Sequence, residues 1–149
     1  MTTYGARSPH RAWIEIDHSA LVENLAQLRR RAGSGRQVIA VVKANAYGHG
    51  AIEVSRTLVR HGVERLAVAT LGEGIALRDA GITVPILILW GLGAPEAAAA
   101  IAADLEAIVY DRPGIELLAR AAADVGARAS VHLKVHSGLG RQGSEPAAA

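Results

Sequence analysis

Residues 40–50 read AVVKANAYGHG, which sets a primary amine, Lys43, at the end of a β-branched apolar run and follows it with Tyr47, Gly48, His49 and Gly50 in a small-residue loop. A lysine leaving a buried strand enters a partly desolvated mouth. Burial disfavours the ammonium there, and the neutral amine attacks a carbonyl to form a Schiff base. Arginine is useless for that chemistry because its guanidinium effectively never loses its proton. The distinction matters in a chain with fourteen arginines and only two lysines, Lys43 and Lys134. Gly48, Gly50 and the amides opening the next helix allow close approach of an anion, with the Tyr47 hydroxyl as a further donor. On spacing alone, the competing reading is a lysine that snorkels at a strand end above an ordinary glycine turn.

The elements that must position these residues follow from two alternating apolar patterns, short β-branched runs and longer Ala/Leu-rich stretches of helical spacing. Residues 12–17 (AWIEID) alternate like a half-buried strand, and residues 18–32 put Leu21, Leu25 and Leu28 on one helical face, ended by Gly33 and Gly35. Residues 37–43 (QVIAVVK) form the continuous apolar run of a parallel strand covered on both faces, and residues 51–61 resume helical spacing until Gly62. Strands are then expected at 66–70, 85–89, 106–109 and 130–135, with helices at 73–80, from Pro95 through 103, and at 113–125. Residues 136–143 read as a glycine-rich loop. The organisation expected is a flexible N-terminus over 1–11, one domain over 12–143 and a frayed tail over 144–149. Strands recurring every ~20–30 residues fit an α/β barrel or a doubly wound sheet, and periodicity leaves both open.

Composition sets the outer bounds. The chain has 149 residues, 50% hydrophobic and 20% charged, with a formal charge of +2. That excludes general disorder and offers no basic stripe for nucleic acid. The most apolar stretch, residues 84–92, is broken by Pro85 and is far shorter than the ~20 residues of a membrane helix. No cysteine is present, so thiol chemistry and disulfides are excluded; this fits a reducing compartment, and a cytoplasmic protein is expected. No metal site is expected: His132 and His136 lack a third ligand at a recognisable spacing. Gly138, Gly140 and Gly143 match a dinucleotide fingerprint in spacing, but no helix follows and only six residues remain for the acidic partner.

The segment AVVKANAYGHG resembles, residue for residue, the pyridoxal-phosphate attachment motif of the alanine racemases. WIEIDHSALVENL at residues 13–25, RLAVATLGEGIALR at 65–78 and HLKVHSGLGRQG at 132–143 are similar to further segments of that family. The resemblance implies a partial (β/α)8 TIM barrel of the α/β class, about five of eight βα units, preceded by one N-terminal strand. It implies that Lys43 carries pyridoxal 5'-phosphate as an aldimine and serves as acid and base, and that Tyr47 binds the cofactor phosphate. Arg141 would contact the cofactor's phenolic oxygen and the substrate carboxylate, and Lys134 would be open to carbamylation. Where the family usually reads Asp-Thr-Gly-Met/Leu-Gly-Arg, this chain reads His136-Ser137-Gly138-Leu139-Gly140-Arg141, replacing an anion with an imidazole.

The implied function is interconversion of L-alanine and D-alanine, supplying D-alanine for peptidoglycan, with alanine as substrate and a homodimer as the complete enzyme. The second base of the family, a tyrosine of a later β domain, has no counterpart here. The expectation is therefore a truncated chain, the N-terminal part of such an enzyme, without full racemase activity. The alternative is a non-catalytic pyridoxal-phosphate-binding partial barrel that another chain completes.

Overall fold

Five short parallel strands and the helices between them account for the alternating patterns. The computed structural model describes residues 12–145. In chain order the elements are α1(His18–Ala32), β1(Ile39–Val41), α2(Lys43–Tyr47), α3(Ala51–Arg60), β2(Arg65–Val68), α4(Leu71–Asp79), β3(Ile86–Ile88), α5(Ala94–Ala102), β4(Glu106–Val109), α6(Arg112–Asp124) and β5(Val131–Leu133). The strands form one sheet in the order β1-β2-β3-β4-β5, every neighbouring pair parallel. Sequential parallel order with a helical return after each strand is the progression of a barrel wall rather than of a doubly wound sheet, whose order reverses.

Alternation along each strand divides the sheet into two faces. On the helix side Leu66, Val68, Ile86 and Ile88 are buried with Leu25, Val42, Val54, Leu58 and Leu77, and Val38 and Ala40 pack against them. On the opposite face Ala67, Leu87 and Ile108 are buried beside Leu89 and Tyr110. The amino-terminal edge of that face is charged. Arg65 Nε lies 2.8 Å from Glu106 Oε2, and His132 Nε2 lies 2.9 Å from the same oxygen.

Local signals end the elements. Asp17 caps α1 by accepting from the amides of Ser19 and Ala20 at 2.8 and 3.1 Å. At the other end Arg29 donates through Nη1 and Nη2 to Glu64 at 3.1 and 2.9 Å, and Glu64 Oε2 also accepts from Val38 N at 2.9 Å. The Val38 amide, and then the Arg29 guanidinium, hold the Glu64 carboxyl below its ordinary pKa. This knot ties the end of α1 to the starts of β1 and β2.

Several expectations need correction. Residues 12–17 form no strand; Trp13 and Ile14 are 65% and 80% exposed, because an alternating pattern makes a strand only where a partner offers hydrogen bonds. Leu28, read as part of the apolar face of α1, is 61% exposed. The run at 37–43 yields only the three residues of β1, and Ile39 and Val41 are exposed, since β1 stands at a sheet edge with its inner face uncovered. Helix α4 begins at Leu71 rather than 73, because Thr70 caps it. Strand β5 is shorter than 130–135. Ser144, grouped by sequence with the tail, bridges to Val135. The readings of 1–11 as flexible and of 146–149 as frayed lie outside the described residues.

Candidate functional site at the carboxyl edge of the sheet

Lys43 directly follows Val42, whose amide bonds Ala67 O at 2.8 Å and whose side chain is buried on the helix side. The next four residues take an unusual path. Ala44, Asn45, Ala46 and Tyr47 have φ between 50 and 55°, a left-handed helical turn made without glycine. Each alanine or tyrosine so placed costs roughly 1–2 kcal/mol, because Cβ crowds the following carbonyl, while Asn45 tolerates the conformation better. The turn persists because its polar groups are satisfied. Ala46 N bonds Val42 O at 2.8 Å, Gly48 N bonds Ala44 O at 3.0 Å, and Gly50 N bonds Asn45 O at 2.9 Å. The Asn45 side chain accepts from Ala51 N at 2.8 Å. His49 Nδ1 donates to Ala46 O at 2.8 Å. Ala46 is buried in the core and pins the turn from below. Ala44→Gly should relieve the strain at an exposed position and raise the unfolding free energy by about 1 kcal/mol in urea titration. A loss of stability would show that the backbone is not left-handed there.

The first amide of the turn has a distant partner. Ala44 N donates to Glu73 Oε1 at 2.7 Å, while Glu73 Oε2 accepts from Ala69 N and Thr70 N at 2.7 and 3.2 Å. With Thr70 Oγ1 accepting from Glu73 N at 3.4 Å, this is the capping box of α4. The T-x-x-E spacing at 70–73 was available as a helix signal. Its reach to the lysine loop was not.

Lys134 stands just beyond β5, its amide on Val109 O at 2.8 Å. The chain then loops through Arg141 and returns, with His136 N on Ser144 O at 2.8 Å and Ser144 N on Lys134 O at 2.9 Å. His136 Nδ1 accepts from Gly138 N at 3.0 Å, a turn-capping role that an aspartate carboxylate would also fill. Gly143 closes the loop at φ 148°, where an added Cβ would sit 2.6 Å from His136 N and 2.9 Å from Val135 C. Both are backbone atoms that cannot swing aside. Gly143→Ala should therefore break the return pairing, read as faster amide exchange at His136 and Ser144; unchanged protection would contradict the geometry.

The fold places Lys43 and Tyr47 after β1 and Lys134 and Arg141 after β5, all at the carboxyl ends of strands on opposite borders of the sheet. No hydrogen bond or ion pair among the described residues joins Lys43, Lys134 and Arg141 to one another. Between them, on the same edge, a cavity of about 460 Å³ is lined by Trp90, Gly91, Tyr110, Gly114 and Gln142 among others. Lys43 does not line it. Sequence reading missed two features, Glu73 as a partner of the lysine loop and the Arg65–Glu106–His132 cluster. The latter depends on a register between β2, β4 and β5 that no local pattern encodes.

The donor set fits pyridoxal phosphate, which carries an aldehyde, a phenolic oxygen and a phosphate. Lys43 is half-buried and its amine pairs with no carboxylate among the described residues, so it is not committed to an ion pair. The Tyr47 ring is 59% exposed, and Arg141 is exposed without a carboxylate partner among the described residues.

A parallel barrel wall with an amine, a phenol and a guanidinium on its carboxyl edge defines an α/β-barrel protein of the lysine-bearing kind. Residues 16–149 match the family described as "Alanine racemase, N-terminal domain". The chain is 46% identical over 135 residues to the alanine racemase of Synechocystis, covering 90% of this chain and 36% of that protein. It is 48% identical over 128 residues to that of Mycolicibacterium smegmatis, covering 86% and 33%. Among solved structures, alanine racemase from D-cycloserine producing Streptomyces lavendulae matches with a TM-score of 0.85 and 36% identity, covering 95% of this chain and 37% of that one. The alanine racemase from Bacillus anthracis with bound L-Ala-P matches at 0.85 and 32%, covering 94% and 36%. The chain belongs to the alanine racemase N-terminal domain family. It spans about a third of the length of the curated relatives it matches.

Proposed function

We propose that this chain supplies the lysine-bearing part of an alanine racemase, with pyridoxal phosphate held by Lys43, Tyr47 and Arg141 and alanine as the substrate. The observation that carries the reading is Lys43 itself, a primary amine without an ion pair among the described residues, set by a strained left-handed turn at the carboxyl end of the first strand. Bound there, the cofactor supplies the electron sink that makes the alanine α-proton acidic. Lys43 works on one face of Cα only: as a neutral amine it takes the α-proton of D-alanine, and as the ammonium it delivers a proton to that same face when L-alanine is the starting isomer. Tyr47 donates its hydroxyl proton to the phosphate. Arg141 binds the substrate carboxylate and the phenolic oxygen, a task suited to its planar fork of donors. Addition of carbon dioxide to the neutral Lys134 amine, with loss of one proton, would give a carbamate whose negative charge orients Arg141. The same reading assigns the protein to D-alanine biosynthesis in the cytoplasm, as a homodimer when complete. Among the described residues no helix is long and apolar enough to cross a membrane.

A second reading, a cofactor-holding barrel portion that turns over only when another chain completes it, draws support from the sheet borders. Ile39 and Val41 on β1, and Val131 and Leu133 on β5, are exposed apolar residues of edge strands. The test incubates the chain with pyridoxal phosphate, reduces with borohydride and maps the peptides by mass. A phosphopyridoxyl group on Lys43, absent in Lys43→Ala, is expected, and labelling spread over other amines would overturn the assignment. Labelling of Lys43 with no α-proton exchange from alanine in D2O and no D-alanine formed from L-alanine would favour the second reading over the first.

A further inference from the structure

We infer that Glu73 is a positioning residue for Lys43, holding the lysine-bearing turn against the next strand-to-helix loop; this rests on the proposed role of Lys43. Its carboxylate serves two loops at once. Oε1 takes the Ala44 amide at 2.7 Å, the peptide that immediately follows Lys43, and Oε2 takes the amides of Ala69 and Thr70 at 2.7 and 3.2 Å. An ordinary capping-box glutamate satisfies only its own helix. Here one oxygen is diverted across 29 residues of sequence to the loop after β1.

The diversion has a physical purpose. The Ala44 amide opens a left-handed turn of four non-glycine residues whose strain favours relaxation toward ordinary backbone. A charged acceptor is the strongest single bond available to hold that first peptide in place. Because the peptide shares its plane with the Lys43 carbonyl, fixing it fixes the direction from which the lysine side chain departs. Glu73 does this from Leu71–Asp79, a helix whose own cap anchors the carboxylate. Lys43 itself thus gains orientation without an acidic partner, among the described residues, that would tie up its amine.

Three variants separate positioning from helix capping. Thr70→Val removes the hydroxyl that accepts from Glu73 N and weakens the α4 cap, yet leaves the Ala44 link. Glu73→Asp keeps a carboxylate at the same helix position but is one methylene too short to serve both loops. Glu73→Gln keeps the length and offers a single acceptor oxygen. Each variant is titrated with pyridoxal phosphate, fixed with borohydride and quantified at Lys43 by peptide mass, with the thermal midpoint measured alongside. The concentration for half-labelling should rise about tenfold in Glu73→Asp and Glu73→Gln and stay unchanged in Thr70→Val. Equal half-labelling in wild type and Glu73→Asp overturns the inference, as does a rise in Thr70→Val that tracks its loss of thermal stability. If the wild-type chain is not labelled at Lys43 at all, the proposed function fails first and the positioning role falls with it.

Discussion

Lys43→Arg is expected to abolish phosphopyridoxyl labelling completely while shifting the thermal midpoint by no more than about 2 °C. The two side chains have similar length, and Lys43 makes no ion pair among the described residues that the change would disturb. What differs is the capacity to give up a proton. A guanidinium that keeps its proton throughout the accessible pH range presents no lone pair to an aldehyde, so the reaction has no nucleophile. Retained labelling in this variant would assign the chemistry to another amine. Lys134 would be the first to test, as the one other lysine in the sequence. A large drop in thermal midpoint would instead mean that Lys43 is structural.

The second large effect is on stability. Leu66 lies at the middle of β2 with no exposed surface, in the core shared by β1, β3, α3 and α4. Leu66→Ala removes buried methyl groups and leaves a cavity that neighbouring strands, held by parallel ladders on both sides, cannot close. The unfolding free energy should fall by about 3–4 kcal/mol in urea titration. For a single domain whose total stability is about 5–15 kcal/mol, that is a large fraction. A loss below about 1 kcal/mol would show that the helix-side core is not packed as described. The link to function is direct: the same core buries Val42 and Ala46, the residues flanking the start and middle of the lysine turn.

How much of this was legible beforehand depends on the range of each interaction. Strand and helix positions were readable because burial repeats every two or about four residues, whereas the starts of α1 and α4 rest on caps, Asp17 and Thr70 with Glu73, that an apolar period does not mark, so the period places the start of α4 two residues late. Residues 12–17 show where that logic stops: they carry the alternation of a strand and lie outside the sheet, because no partner strand among the described residues lies beside them. The edge strands β1 and β5 likewise expose apolar residues that a strand covered on both faces would bury.

The site divides along the same line. The sequence by itself determined which residues have the chemistry: an amine that can lose its proton at the end of an apolar run, a phenol four residues on, and a guanidinium in a late glycine loop. Only the tertiary structure decided how they are held. Ala44, Ala46 and Tyr47 have little local preference for left-handed backbone, Asn45 being the one residue of the turn that tolerates it, so their φ near 50° depends on contacts beyond the turn: the burial of Ala46 and the Glu73 carboxylate. The pairing of Arg65, Glu106 and His132 likewise needs the register of separate strands. Chemistry is a property of single side chains, whereas strain and register are settled by which distant residues pack together.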